Sequence, residues 1–168
     1  HAVLFDTGVQ HEHLFHNASI LGKDLERVEA VVLSHGSYDH YGGLVGFYQR
    51  VPGSIPLVAH PDAFSERRDL IPGSGPSNIR RLEEEKLLEL GVPIRKRRGP
   101  SVTGSGAVMV SGEVERTTDF EKGYSWGERR VEGEWVPDAI DDDQALAVNI
   151  KGKGLVVLGG CSHSGIIS

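Results

Sequence analysis

Two imidazoles and a carboxylate fall within six residues of LSHGSYDHYGGL: His35, Asp39 and His40. Imidazole nitrogen and carboxylate oxygen are ligand types that Zn, Fe and Mn accept. The stretch follows the apolar run VEAVVL and precedes Gly42-Gly43, so it sits where a strand gives way to a helix. Loops at strand ends are where a rigid scaffold aims polar groups into a cleft. Two other strand ends repeat the pattern. LFDTG ends in Asp6, and LVVLGG runs straight into Cys161 and His163 of GCSHSG. Any one of these residues alone reads as an ordinary turn residue. If the three strand ends converge, they make a metal cluster with its orienting groups.

Other chemistry-bearing stretches carry less. His13 and His16 of HEHLFH share a helix face while His11 lies off it, which reads as a polar helix near the cleft rim. His60, before Pro61, reads as a turn residue. The run Arg95 to Arg98 reads as a solvated face, with a phosphate contact as the alternative. Tyr124, Trp126 and Trp135 either stack on a flat ring or anchor their own loop.

The elements that must position these groups alternate early between strand and helix. Residues 2–5 and 28–33 read as strands, the second buried because it is almost wholly apolar. Helices are expected over 10–21 and 42–51, stopped by Gly22 and Pro52, with a short strand over 56–59. The periodicity of IRRLEEEKLLEL predicts an amphipathic helix over 79–90. RKRRGP and SVTGSG read as flexible, 107–114 as a strand, and 117–138 as a loop or lid without period. ALAVNI and LVVL, joined by Gly152 to Gly154, read as a hairpin. A mixed α/β (α+β) domain with helices packed on sheets fits this order.

The whole-chain numbers narrow the function classes. The 168 residues suffice for one domain with a core. The net charge of -6 disfavours a broad nucleic-acid surface. No apolar run approaches the roughly 20 residues of a membrane span. The single cysteine excludes an internal disulfide, and the reading is cytoplasmic.

In order along the chain, DTG, LSHGSYDHYGGL, SGEVER, DDQAL and GLVVLGGCSHSGI resemble the metallo-β-lactamase superfamily. The finer pattern is similar to its dihydropterin–ribofuranosylaminobenzene phosphate synthase-like branch. The resemblance implies an αββα sandwich, here incomplete at both ends, as a single domain over 1–168 with a loosely matched insertion or lid at about 61–138. It implies one or two divalent ions, Zn first, with Fe, Mn or Mg as alternatives. By position, His35 and His163 would serve a first metal, and Asp39 and His40 a second, with Asp39 also the catalytic group that holds water. Asp6 would orient the ligand loops. Cys161 falls near a place where many members carry a bridging aspartate. Asp142 lies where some members carry a ligand histidine. Ser37 stands where the family's HxHxDH motif has its second histidine, so the first metal would lose a strong ligand. The implied function is a metal-dependent hydrolase-type enzyme working on a small, phosphorylated substrate, through metal-bound water or a metal-stabilised phosphate leaving group. A pterin synthase-like activity is its specific form. The rival is a non-catalytic ligand-binding relative with a degraded metal site. Neither nucleic acid nor membrane is expected as a partner.

Overall fold

The computed structural model describes residues 2–168. Three four-stranded sheets carry the chain. The first is parallel, in the order β1 (Ala2–Phe5), β2 (Val28–Val32), β3 (Leu57–Ala59), β6 (Ile94–Lys96). The second is antiparallel, in the order β10 (Glu134–Pro137), β9 (Gly127–Val131), β4 (Arg67–Asp69), β5 (Ser77–Ile79). The third is antiparallel as well, in the order β12 (Gly154–Leu158), β11 (Leu146–Ile150), β8 (Val108–Val110), β7 (Ser101–Thr103). Four helices join them: α1 (His11–Ile20), α2 (Tyr38–Tyr41), α3 (Leu44–Arg50) and α4 (Glu84–Glu89).

Strand alternation explains the layers. In β2 and β3, Val31, Leu57 and Ala59 join a core with Leu44 and Phe47 of α3 and Leu87 of α4. Their neighbours Val32 and Val58 point the other way and pack with Val110 and Leu146 of the third sheet. Both faces of the parallel sheet are therefore covered, which is why VEAVVL is nearly all apolar. The layers run helix, sheet, sheet, the mixed α/β arrangement expected.

Three expectations need correction. Only Glu84–Glu89 of the expected 79–90 helix is helical, because Ser77–Ile79 pairs with β4 instead. Strand pairing overrides local helix propensity here. The stretch 95–106 is not loose: it supplies β6 and β7. The expected loop at 117–138 contains the β9–β10 hairpin. Its strands, GERRV and EWVP, show no apolar alternation. Charge and cation–π pairs help hold them instead: Arg68 bonds Glu128 at 2.7 Å and lies 4.3 Å from the Trp135 ring centre. The expected hairpin of β11 and β12 is present in full register.

Candidate metal centre

The parallel sheet delivers its polar groups at one edge. β1 ends at Asp6, β2 at Ser34 and His35, and β3 at His60. Asp6 adopts φ +61°, a left-handed conformation that is strained for a non-glycine residue and is a sign of a constrained site. From there its carboxylate takes three hydrogen bonds: from Ser34 N at 2.7 Å, from Ser34 Oγ at 2.7 Å, and from His40 Nδ1 at 2.7 Å.

Those bonds fix the ring tautomers. Ser34 donates its one hydroxyl proton to Asp6 and lies 2.9 Å from His35 Nδ1, so that nitrogen is the donor to Ser34 Oγ. His35 Nε2 then carries a lone pair. Among the described residues that atom is buried and has no hydrogen-bond partner. His40 donates through Nδ1 to Asp6, which leaves its Nε2 lone pair facing Cys161 Sγ at 3.2 Å. One ligand atom from each of His35, His40 and Cys161 lies within 4.8 Å of the other two. A metal-binding histidine generally has its second nitrogen tied to a carboxylate or other acceptor, and both rings satisfy that requirement.

Electrostatics separate the neighbours. Burial and the adjacent His40 push the His35 pKa down to about 4, so the ring is neutral at pH 7. The hydrogen bond to Asp6 raises His40. Burial lowers His163 and raises the Cys161 thiol, the latter helped by Asp39, Asp143 and Asp6. A thiol that binds a metal loses its proton outright.

The remaining expected site residues lie around this cluster. The His163 ring packs edge-on to His35 at 5.0 Å, outside the three-atom group. The Asp39 side chain is 64% exposed, with Oδ2 3.5 Å from His40 Nε2. Ser37 starts the α2 turn, its carbonyl accepting from His40 N at 2.9 Å, and its side chain makes no capping bond. Both Asp142 oxygens receive donors from Arg67, and one also accepts from Gly36 N. His60 takes a turn role, its Nδ1 accepting from Asp62 N at 3.2 Å. Arg98, at the end of the basic run, pairs with Asp62. The ring of His11 packs against Gly46 and pairs with Glu12.

Ser34 was not among the residues singled out from sequence, since a serine before a histidine is an ordinary dipeptide. The neighbouring glycine offered a structural signal: a Cβ on Gly160 would come within 2.6 Å of Ser34 Cβ, so the GG before Cys161 lets the two loops touch. A cleft of about 440 Å³ opens over the cluster, lined by His35, Asp39, Cys161 and His163 on one side. Tyr38, Ile79, Tyr124 and Ile140 give it apolar walls. Tyr124 is steadied by donating its hydroxyl to Asp69 at 2.7 Å.

Comparison with known proteins agrees with this architecture. The model of the metallo-beta-lactamase superfamily matches residues 1–151. A 7,8-dihydropterin-6-methyl-4-(beta-D-ribofuranosyl)-aminobenzene-5'-phosphate synthase of Methanocaldococcus jannaschii is 31% identical over 99% of this chain and 57% of its own length. The crystal structure of Tm1679, a metal-dependent hydrolase of the beta-lactamase superfamily, superposes with a TM-score of 0.74 at 27% identity, covering 98% of this chain and 57% of that one. A Cronobacter sakazakii metallo-beta-lactamase shares the fold at TM-score 0.55 and 12% identity, covering 92% of this chain and 47% of its own. The chain thus spans about half the length of these relatives. No helix among the described residues is long and apolar enough to cross a membrane. With the layered sheets, the strand-end cluster and the family match in agreement, the chain belongs to the metallo-β-lactamase superfamily.

Proposed function

We propose that this chain is the metal-binding part of an enzyme acting on a small phosphorylated substrate, with His35, His40 and Cys161 as the core ligands. The observations that carry the reading are the buried His35 Nε2, which has no partner among the described residues, and the grouping of one ligand atom each from His35, His40 and Cys161 within 4.8 Å. An unpartnered buried nitrogen is costly unless something else satisfies it. Two imidazoles and a thiol suit Zn, and His163 stands close enough to serve as a fourth donor after a small ring movement. A divalent ion held there would act as a Lewis acid, lowering the pKa of water toward about 7 or neutralising charge on a phosphate leaving group.

The protein's own groups do the rest. Asp6 and Ser34 hold both rings in the ligand tautomer. Asp39, exposed on the cleft wall beside His40, accepts a proton at its carboxylate. Tyr38, Tyr124 and Ile79 exclude water from the apolar part of a substrate. The names of the relatives support two outcomes of the same site, hydrolysis and a synthase reaction. The residue type of Ser37 supports a second reading, a ligand-binding protein without turnover, because a hydroxyl lines the cleft there in place of a strong imidazole ligand.

Turnover of bis-p-nitrophenyl phosphate separates them. The enzyme reading expects hydrolysis that EDTA abolishes, Zn²⁺ restores and His35→Ala lacks. No turnover by Zn²⁺-loaded protein, or turnover indifferent to EDTA, would sink it and favour the binding protein.

A further inference from the structure

We propose that Arg67 is a positioning residue of this centre, holding Asp142 as the clamp on the His35–Gly36 turn; the inference rests on the metal reading above. Arg67 is 6% exposed and lies in β4, away from every ligand in sequence. Its Nε donates to Asp138 at 2.6 Å, its Nη1 to Asp142 Oδ2 at 3.2 Å, and its Nη2 to Asp142 Oδ1. Gly36 N donates to Asp142 Oδ2 at 2.6 Å. Three donors therefore converge on the two oxygens of a carboxylate that is 0% exposed. A buried carboxylate needs a countercharge of fixed geometry, and the planar guanidinium fork supplies it.

The turn is gripped from its other side too. A Cβ on Gly36 would overlap the carbonyl of Ala63. Gly36 thus has backbone against one side and Asp142 against the other, and His35 is the residue before it. The next aspartate makes a parallel contact with the second ligand loop, accepting from Ser164 N at 2.9 Å through Asp143 Oδ2. Meanwhile β4, with its partners β5 and β9, contributes Arg68, Asp69, Ile79 and Glu128 to the cleft wall. One side chain thereby ties the wall that meets the substrate to the turn that aims His35. The DDD run has a role as an organising hub, a job that a count of acidic residues does not reveal.

The test measures Zn²⁺ affinity by chelator competition and amide exchange at Gly36, on the whole chain. The variants are Asp142→Asn, Arg67→Lys and Arg67→Met, with Arg130→Met in β9 as control. Asp142→Asn nearly preserves volume but has one oxygen for three donors. Groups that orient metal ligands are typically worth about 10–100-fold in affinity. Asp142→Asn and Arg67→Met should lose affinity on that scale and speed Gly36 exchange, Arg67→Lys should fall between, and Arg130→Met should change neither. If Arg67→Met does not fold, Asp142→Asn and Arg67→Lys carry the test. Folded Asp142→Asn with parental Zn²⁺ affinity and parental Gly36 exchange would overturn the proposal. If the parent takes up no Zn²⁺, the metal reading fails by itself, and Gly36 exchange alone then decides the clamp: faster exchange in the variants sustains it, unchanged exchange removes it.

Discussion

The runs VEAVV of β2 and GLVVL of β12 are close in composition and opposite in surroundings. In β2, Val31 and Val32 are 0% exposed, between two neighbouring strands and with a core on each face. In β12, Leu155 is 72% and Val157 65% exposed, at a sheet edge with β11 as its one neighbour. Apolar content marks a segment as a strand, but its neighbours decide whether it is buried. The difference extends to the site. The loop after β2 is held by packing and by Asp6. The loop after β12, which carries Cys161 and His163, is tethered by hydrogen bonds: Asp143 to Ser164 N, Arg116 to the His163 carbonyl, and Glu121 to the backbone of 166–168. One half of the candidate centre is built into a core, and the other is tied down at its end.

The largest expected effect comes from breaking the packed half. Leu57→Ala, at a 0% exposed position, should cost about 2–5 kcal/mol of stability by the usual range for buried leucine. Leu155→Ala should stay within about 0.5 kcal/mol, as for surface substitutions. Urea unfolding of both variants checks this, and equal losses would erase the distinction between the strands.

Next is the link between packing and ligand aim. Ser34→Ala removes the acceptor for His35 Nδ1 and one donor to Asp6. Zn²⁺ affinity should fall about 10–100-fold, with a much smaller change in unfolding midpoint. Unchanged affinity would mean that the Asp6–Ser34–His35 chain does not set the tautomer.

The smallest effect belongs to the tether. The Glu121 carboxyl is held down at about 2, first by the N–H of Ile167, then by Ile166, Thr118 and Ser168. A depressed folded value means that the tether is complete above the ordinary value of 4.5 and is lost as pH falls through about 2. Amide exchange at Ile166 and Ile167, corrected for intrinsic pH dependence, should therefore accelerate across that window. In Glu121→Gln those amides should be less protected at neutral pH and should lack the acid transition. A wild-type acid transition retained in the variant would assign the window to another group.

The legible and illegible parts of the sequence divide along the same lines. β2, β3 and the β11–β12 hairpin were visible because short, mostly apolar runs that stop at turn residues have few other uses. Candidate ligands at strand ends stood out because His, Cys and Asp together are conspicuous there. The sheet of β4, β5, β9 and β10 was hidden because its strands are short and charged. Arg67 is held by partners 71 and 75 residues away, Asp138 and Asp142, which no local pattern encodes. Ile79 illustrates the same limit, since a helical period gave way to pairing with Arg67 of β4.

The most direct test of the central claim is a Co²⁺ titration of the purified chain followed by absorption spectroscopy, with His35→Ala and Cys161→Ser alongside. The account predicts saturable binding of a single ion, with a thiolate-to-metal charge-transfer band that Cys161→Ser removes and binding that His35→Ala abolishes. Absence of saturable binding, or an identical spectrum in all three proteins, would contradict a metal centre built on His35, His40 and Cys161.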